Sequence, residues 1–159
     1  DIYGKVSRPT YNDLLQALTN IGCKYEKNEN DGGIDFYFMG EQFHIPRDEG
    51  RSFVTIWKYD WYTDYTNDLD EINRIKSAVN SVNEAYGVAN TYYIREAIGS
   101  VEISVNTRLF FLKGLAHLEG YLYSVLETIF YSQIYFYYEI ERLRLRENYG
   151  KLDAKDYYN

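Results

Sequence analysis

The sequence has one cysteine, two histidines and a deficit of positive charge. Its 159 residues include 17 lysines and arginines against 24 aspartates and glutamates, which leaves a net charge of −7. Cys23 has no second cysteine to pair with, so an intramolecular disulfide is excluded and we expect a small buried thiol. The acidic balance argues against nucleic acid as a partner, because phosphate binding needs a concentrated basic surface.

Long hydrophobic runs are also missing from the sequence. No stretch approaches the roughly 18 consecutive apolar residues of a membrane span, so we expect no membrane partner. No signal peptide is visible, although one already cleaved would leave no trace. A cytoplasmic location is therefore expected.

Residue patterns typical of catalysis and of metal binding are absent as well. The sequence contains no phosphate-binding loop, dinucleotide fingerprint or nucleophile motif. His44 and His117 lack a second ligand at the spacing of a zinc site, and we interpret both as surface residues. We expect neither an enzyme nor a protein with a cofactor.

Hydrophobic periodicity predicts an α+β fold. Apolar spacing of three and four predicts a first helix over residues 10–21, and alternation predicts three or four strands between residues 23 and 62. Asp68 and Glu71 form a capping-box pair for a second helix, which Gly87 ends. Two more strands and a long helix follow. This order predicts an antiparallel sheet with helices packed on one face.

The long helix, roughly residues 115–143, is the most informative element. It belongs to a single predicted domain, residues 1–147, which precedes a loose polar tail over 148–159. Its core stripe comprises Leu118, Leu122, Val125, Ile129, Phe136, Ile140 and Leu143. One flank widens the stripe with Leu126, Phe130, Ile134 and Tyr137, and the far side carries Tyr131, Tyr135 and Tyr138.

The width of this apolar face has two explanations. Either strands on two sides bury the helix within the domain, or its far side contacts another protein. The tyrosines favour contact, because a large exposed apolar patch is uncommon on a monomer. The predicted contact residues are Phe130, Tyr131, Ile134, Tyr135 and Tyr138.

One basic cluster lies towards the end of the same helix. Arg142, Arg144 and Arg146 alternate there with glutamates. We interpret the cluster as a solvated helix end, with cations near the negative pole of the helix dipole. A phosphate-binding site is the alternative.

The last strand before the second helix is aromatic on its odd positions, which are Phe53, Trp57, Tyr59 and Trp61. Packing within the sheet is the expected role of these side chains. Alternatively, Trp57, Tyr59 and Trp61 form a stacking platform that binds a sugar or another small molecule.

The element order resembles the bacterial YbjN family of sensory transduction regulators and the type III secretion chaperone-like fold. Three segments carry this resemblance: the strand–turn–strand 34–43, the helical Ile72-Asn73-Arg74-Ile75, and the hairpin from Tyr92-Tyr93-Ile94 to Val101-Glu102-Ile103-Ser104-Val105. The resemblance implies a small, acidic, dimeric and non-enzymatic protein that binds segments of other proteins. It carries no catalytic residues over to this sequence.

The sequence therefore predicts a protein-binding or chaperone-like regulatory domain that forms a homodimer through aromatic helix and sheet surfaces. The alternative function is a small-molecule or sugar sensor that uses the aromatic strand.

Overall fold

Helices and strands follow one another in the order that the sequence predicts. The computed structural model describes residues 11–47, 53–110 and 116–158. Within them the elements are α1 (Tyr11–Asn20), β1 (Lys24–Lys27), β2 (Ile34–Phe38), β3 (Glu41–Ile45), β4 (Phe53–Tyr65), α2 (Leu69–Tyr86), β5 (Ala89–Arg95), β6 (Ser100–Phe110) and α3 (Leu118–Tyr158). Four strands thus precede α2. The predicted helix starts at residues 10 and 115 lie outside the described residues.

The six described strands form one antiparallel sheet in the order β1-β2-β3-β4-β6-β5. β4 and β6 are its long central strands, and their ladder runs from Phe53↔Phe110 to Tyr65↔Ser100. β2 and β3 form a hairpin in which Phe38 pairs with Glu41. The α+β prediction with an antiparallel sheet is confirmed.

The core lies between one face of this sheet and the helices. Alternate residues of the strands are buried there, because successive side chains of a strand point to opposite faces. The largest fully buried side chains come from both layers: Phe36, Phe43, Ile45, Ile56, Ile103 and Leu109 from strands, and Leu14, Leu18, Ile75, Leu122 and Phe136 from helices. Cys23 is buried as predicted, and burial raises the pKa of its thiol.

Helix α2 begins and ends at the predicted residues. The Asp68 carboxylate accepts a hydrogen bond from the Asp70 backbone N–H at 3.0 Å, and Gly87 ends the helix with a left-handed φ of 63°. The capping box is wrong in its second half. Glu71 accepts hydrogen bonds from Arg74 and Arg144 instead of reaching back to the Asp68 backbone.

Helix α3 is longer than the sequence predicts. It continues through residues 148–158, where the absence of apolar periodicity predicts a loose tail. A helix that has already formed extends by one hydrogen bond per added residue, so it needs no buried stripe to continue. The segment also contains Lys151, Leu152, Ala154 and Lys155, which are residue types with high helix propensity.

We expect Asp68→Ala to lower the free energy of unfolding by about 1 kcal/mol, because the substitution removes the side-chain acceptor at the start of α2. Asp68→Asn keeps a side-chain oxygen at the same position and is expected to change stability by only a few tenths of a kcal/mol. Urea unfolding followed by circular dichroism measures both values. Equal losses in the two variants would contradict a capping role for Asp68.

Candidate functional site

Helix α3 carries apolar residues on two opposite faces. One face packs on the sheet and on α2, and its buried residues are Leu122, Leu126, Ile129, Phe136 and Ile140. At about 100° per residue, Tyr131, Ile134 and Tyr138 lie on the side away from Phe136. These three side chains are 56, 52 and 75% exposed. Leu145 is also exposed and continues the same line, so we call Tyr131, Ile134, Tyr138 and Leu145 the outer row.

The five predicted contact residues fall into two groups: two pack inside the domain and three face outward. The half-buried ring of Phe130 packs 5.9 Å from the Phe38 ring and 6.0 Å from the Phe43 ring, measured between centroids. Tyr135 is also half-buried, with its ring 5.5 Å from that of Tyr86 on α2. Phe130 and Tyr135 thus belong to the internal packing of the domain, whereas Tyr131, Ile134 and Tyr138 face outward.

The aromatic strand β4 contains a β-bulge that the alternation does not predict. Its register with β6 shifts between Lys58 and Tyr62, and Asp60 adopts a left-handed φ of 48°. Aspartate is among the non-glycine residues most often found in this conformation. The Asp60 N–H donates to the Ser104 Oγ at 2.9 Å. The bulge therefore breaks the period of two in the middle of the strand.

The bulge separates the three residues of the alternative platform. Trp57 and Tyr59 stack on each other with ring centroids 5.1 Å apart, on the face of the sheet opposite the helices. Trp61 lies on the helix side, where its ring contacts Phe136 of α3 at 5.2 Å. No single surface within these described residues presents all three rings.

His44 lies beside Tyr59 and is not a surface residue, so that prediction is wrong. Its side chain is held between two carboxylates, with Nδ1 2.7 Å from Asp35 Oδ1 and Nε2 2.6 Å from Asp31 Oδ2. The Gly33 backbone N–H and then His44 lower the pKa of Asp31. An ionised carboxylate only accepts hydrogen bonds, so both contacts are made together when both ring nitrogens carry a proton.

These bonds explain why His44 is buried although it lies on the same side of the strand as Gln42, opposite Phe43 and Ile45. The turn before β2 folds over the imidazole ring and supplies Asp31, and Asn28 anchors Asp35 through a 3.0 Å hydrogen bond. A shallow cavity of ≈ 450 Å³ lies beside the network. Each oxygen of the two carboxylates already accepts a hydrogen bond within the protein. We therefore interpret the network as one that stabilises this turn. His117 is exposed, as predicted.

A second cavity of ≈ 410 Å³ opens between β3, β4 and α3, next to the bulge. The described part of the β3–β4 ladder has one register pair, His44↔Trp57, which leaves the start of β3 apart from β4. Charged, amide and aromatic side chains line this cavity, notably Glu41, Lys58, Asp60, Trp61, Gln133 and Tyr137. We call it the Lys58 cavity.

Lys58 is only 6% exposed and points to the helix side of the sheet. Its Nζ donates to Gln133 Oε1 at 3.1 Å and lies 3.7 Å from Glu41 Oε2. The rings of Phe43 and Phe130 lie 5.6 and 4.6 Å from the same nitrogen. Burial lowers the pKa of Lys58, and the opposing effect of Glu41 is smaller.

Sequence reasoning missed the Lys58 cavity, although two signals for it exist. Lys58 follows Ile56 at the spacing of a strand face that points into the core. Gln133 lies four residues after Ile129 and three before Phe136, within the buried stripe of α3. A polar residue inside an apolar stripe indicates a buried polar contact.

One arginine of the basic cluster, Arg144, belongs to an ion-pair network between α3 and α2. Arg142 and Arg146 are exposed, as expected of a solvated surface, and Arg142 pairs with Glu139 of its own helix. Arg144 donates to Glu71 of α2 at 2.5 and 3.1 Å, and Arg74 donates to the second oxygen of the same carboxylate at 2.9 Å. Arg74 also pairs with Glu147. Because α3 continues to Tyr158, the negative pole of its dipole lies beyond these arginines.

The described ranges contain no group of three or more histidine, cysteine, aspartate or glutamate side chains arranged to hold a metal ion. In the same part of the chain, no helix combines the length and the hydropathy needed to cross a membrane.

The fold is similar to those of two solved structures. One is YbjN from E. coli, a proposed transcription regulator, with a TM-score of 0.52, 10% sequence identity, and coverage of 90% of this chain and 97% of that one. The other is an uncharacterized protein from Methanothermobacter thermautotrophicus, with a TM-score of 0.54, 14% identity, and coverage of 82% of this chain and 96% of that one. The predicted YbjN-like fold is therefore confirmed, and identities this low show the fold alone.

Sequence comparison adds nothing to this result, because no protein-family model and no curated protein matches the chain.

Proposed function

We propose that this chain is a non-enzymatic protein-binding domain that forms a homodimer through the outer row of α3. The observation that carries the proposal is the position of that row. Its four apolar side chains lie opposite the face that packs on the sheet, so they contribute nothing to the core of their own chain.

The spacing of the outer row suits a helix–helix contact. Tyr131, Ile134, Tyr138 and Leu145 follow one another at intervals of three, four and seven residues, which is the repeat of a helix-pairing seam. Around a two-fold axis near Tyr138, an antiparallel copy places Leu145 against Tyr131 of its partner. Such a contact is self-complementary, as the interface of a symmetric dimer must be.

The charge distribution also favours a second copy as the occupant. The chain carries a net charge of −7, which opposes the approach of two copies in general. The segment that flanks the outer row is neutral, however, because Glu139, Glu141 and Glu147 balance Arg142, Arg144 and Arg146. Two such segments meet without net repulsion.

The similarity of fold to YbjN supports a regulatory role for this binding domain. Since the acidic surface disfavours contact with phosphate, we place that role in protein–protein contacts and not in direct DNA binding.

The proposal predicts an oligomeric state that two substitutions abolish. We expect the wild-type protein to have twice the 18.9 kDa chain mass by size-exclusion chromatography with light scattering. Tyr131→Glu with Tyr138→Glu is expected to weaken association by about 30-fold or more, because it removes two aromatic anchors and places like charges near the two-fold axis.

Tyr65→Glu is the matched control, since Tyr65 is 76% exposed at the end of β4 and is not part of the outer row. It is expected to remain dimeric. A monomeric wild type at every concentration, or a double variant that still dimerises, would contradict the proposal.

A further inference from the structure

One residue that lines the Lys58 cavity has a buried hydrogen-bond donor without an acceptor among the described residues. Gln133 is 9% exposed, and its Nε2 has no hydrogen-bond partner within the described residues. A buried amide donor without a partner destabilises a fold, so such donors are rare in native proteins. Gln133 and Lys58 both line the same cavity.

Within the described part of the chain, the Lys58 ammonium has fewer hydrogen-bond acceptors around it than it has protons. Of its three protons, one is directed to Gln133 Oε1 at 3.1 Å. The nearest carboxylate, that of Glu41, lies 3.7 Å away, beyond hydrogen-bond distance, and is half exposed to solvent. The two phenylalanine rings accept part of the charge through their faces, but they supply no oxygen. A buried cation in this position favours an additional anionic partner.

Two aromatic residues of the lining indicate that this anionic partner also has an apolar part. Trp61 and Tyr137 pack edge to face with their ring centroids 6.2 Å apart, and both residues line the cavity. The cavity volume of ≈ 410 Å³ lies within the range of small-molecule sites.

We propose that the Lys58 cavity binds the carboxylate of a small organic acid whose flat apolar body lies along Trp61 and Tyr137. The carboxylate accepts hydrogen bonds from Gln133 Nε2, which has no partner within the described residues, and from a proton of Lys58 Nζ that is not directed to Gln133 Oε1. Glu41 lies on the solvent side of the cavity and moves away as the ligand enters. This site is separate from the outer row of α3 and does not depend on dimerisation.

Titration with sodium benzoate, followed by ¹H–¹⁵N NMR of the full chain, tests the proposal. We expect benzoate to shift the side-chain amide resonances of Gln133 in a saturable manner. Benzyl alcohol, which has the same ring but no charge, is expected to bind about tenfold more weakly or not at all, because it leaves the Lys58 charge uncompensated.

Lys58→Met retains the length of the side chain and removes its charge, and it is expected to weaken benzoate binding at least about tenfold. Lys76→Met is the matched control, because Lys76 also lies over a ring, that of Tyr92, but outside the cavity. This control is expected to bind benzoate like the wild type.

The proposal is overturned if benzoate leaves the Gln133 resonances unmoved, as for a cavity that holds only water. It is equally overturned if Lys58→Met and the wild type bind benzoate alike. Should Lys58→Met fail to fold, the comparison of benzoate with benzyl alcohol on the wild-type protein decides the question alone.

Discussion

Replacing Phe136 with alanine is expected to lower the free energy of unfolding by about 4–5 kcal/mol. The side chain is completely buried at the centre of α3, and its ring centroid lies 5.2 Å from that of Trp61 and 4.9 Å from that of Tyr62. The substitution leaves a cavity and removes both edge-to-face contacts. Small proteins are stable by only about 5–15 kcal/mol. This single change is therefore expected to remove a large share of the free energy of unfolding.

Chemical denaturation of Phe136→Ala and Phe136→Leu measures the effect and separates its causes. Leucine refills most of the volume but loses the aromatic contacts, so we expect it to destabilise the protein by less than half as much as alanine does. Equal destabilisation by the two variants would show that the ring contacts, and not the cavity, dominate at this position.

The second large effect is expected for Glu71→Gln, which breaks the network between α2 and α3. Glu71 accepts hydrogen bonds from Arg74 and Arg144, and its carboxylate is mostly buried. Removing one partner of such a network leaves two guanidinium groups without their shared counter-charge. We expect a loss of about 2–3 kcal/mol at neutral pH, somewhat less than for a completely buried pair because Arg144 is partly solvated.

The same network predicts a dependence of stability on pH. Burial raises the pKa of Glu71, but the hydrogen bonds from Arg144 and Arg74 outweigh it, so the folded-state pKa lies below the ordinary 4.5. The stabilisation is thus complete above pH 4.5 and is lost as the pH falls through the folded-state pKa. We expect the difference in the free energy of unfolding between wild type and Glu71→Gln to become smaller as the pH falls below 4.5.

Glu84→Gln is the control for both measurements. It removes one negative charge from the same helix at an exposed position, and its effect at neutral pH is expected to stay within about 0.5 kcal/mol. A Glu71→Gln difference that persists undiminished in acid would mean that packing, and not the charge, accounts for the loss.

The elements with strong local signals were predictable from the sequence. Helix α2 combines one apolar face with Asp68 at its start and Gly87 at its end, and local chemistry suffices to place both ends. Strand β2 alternates regularly and leads into a turn at Met39 and Gly40, which have φ values of 51° and 79°. Here local preference and tertiary packing agree.

The candidate sites depend on tertiary contacts that alternation does not encode. The bulge at Asp60 moves Trp61 to the opposite face from Trp57, although the sequence reads as one uninterrupted odd-numbered run. His44 is buried between the carboxylate of Asp31, in the turn before β2, and that of Asp35, its cross-strand partner on β2. The long-range partners decide burial in that case, and a single sequence does not name those partners.

The wide face of α3 illustrates how both explanations of one pattern can hold for different residues. Phe130 and Tyr135 serve internal packing against the sheet and α2, whereas Tyr131 and Tyr138 point outward. Helical geometry places these two pairs on neighbouring sides of α3. Which of these sides is buried depends on where β3 and α2 pack.

The bulge also places the two tryptophans of the chain on opposite faces of the sheet. Trp57 emits from the open side of the sheet, beside Tyr59, and Trp61 emits from the helix side, where its indole N–H donates to Asn90 Oδ1 at 3.0 Å. The tryptophan fluorescence of a Trp57→Phe variant therefore reports only on the helix side of the sheet. That of a Trp61→Phe variant reports only on the face opposite the helices. Four residues of strand thus give the protein two separate optical reporters, one for each face of its sheet.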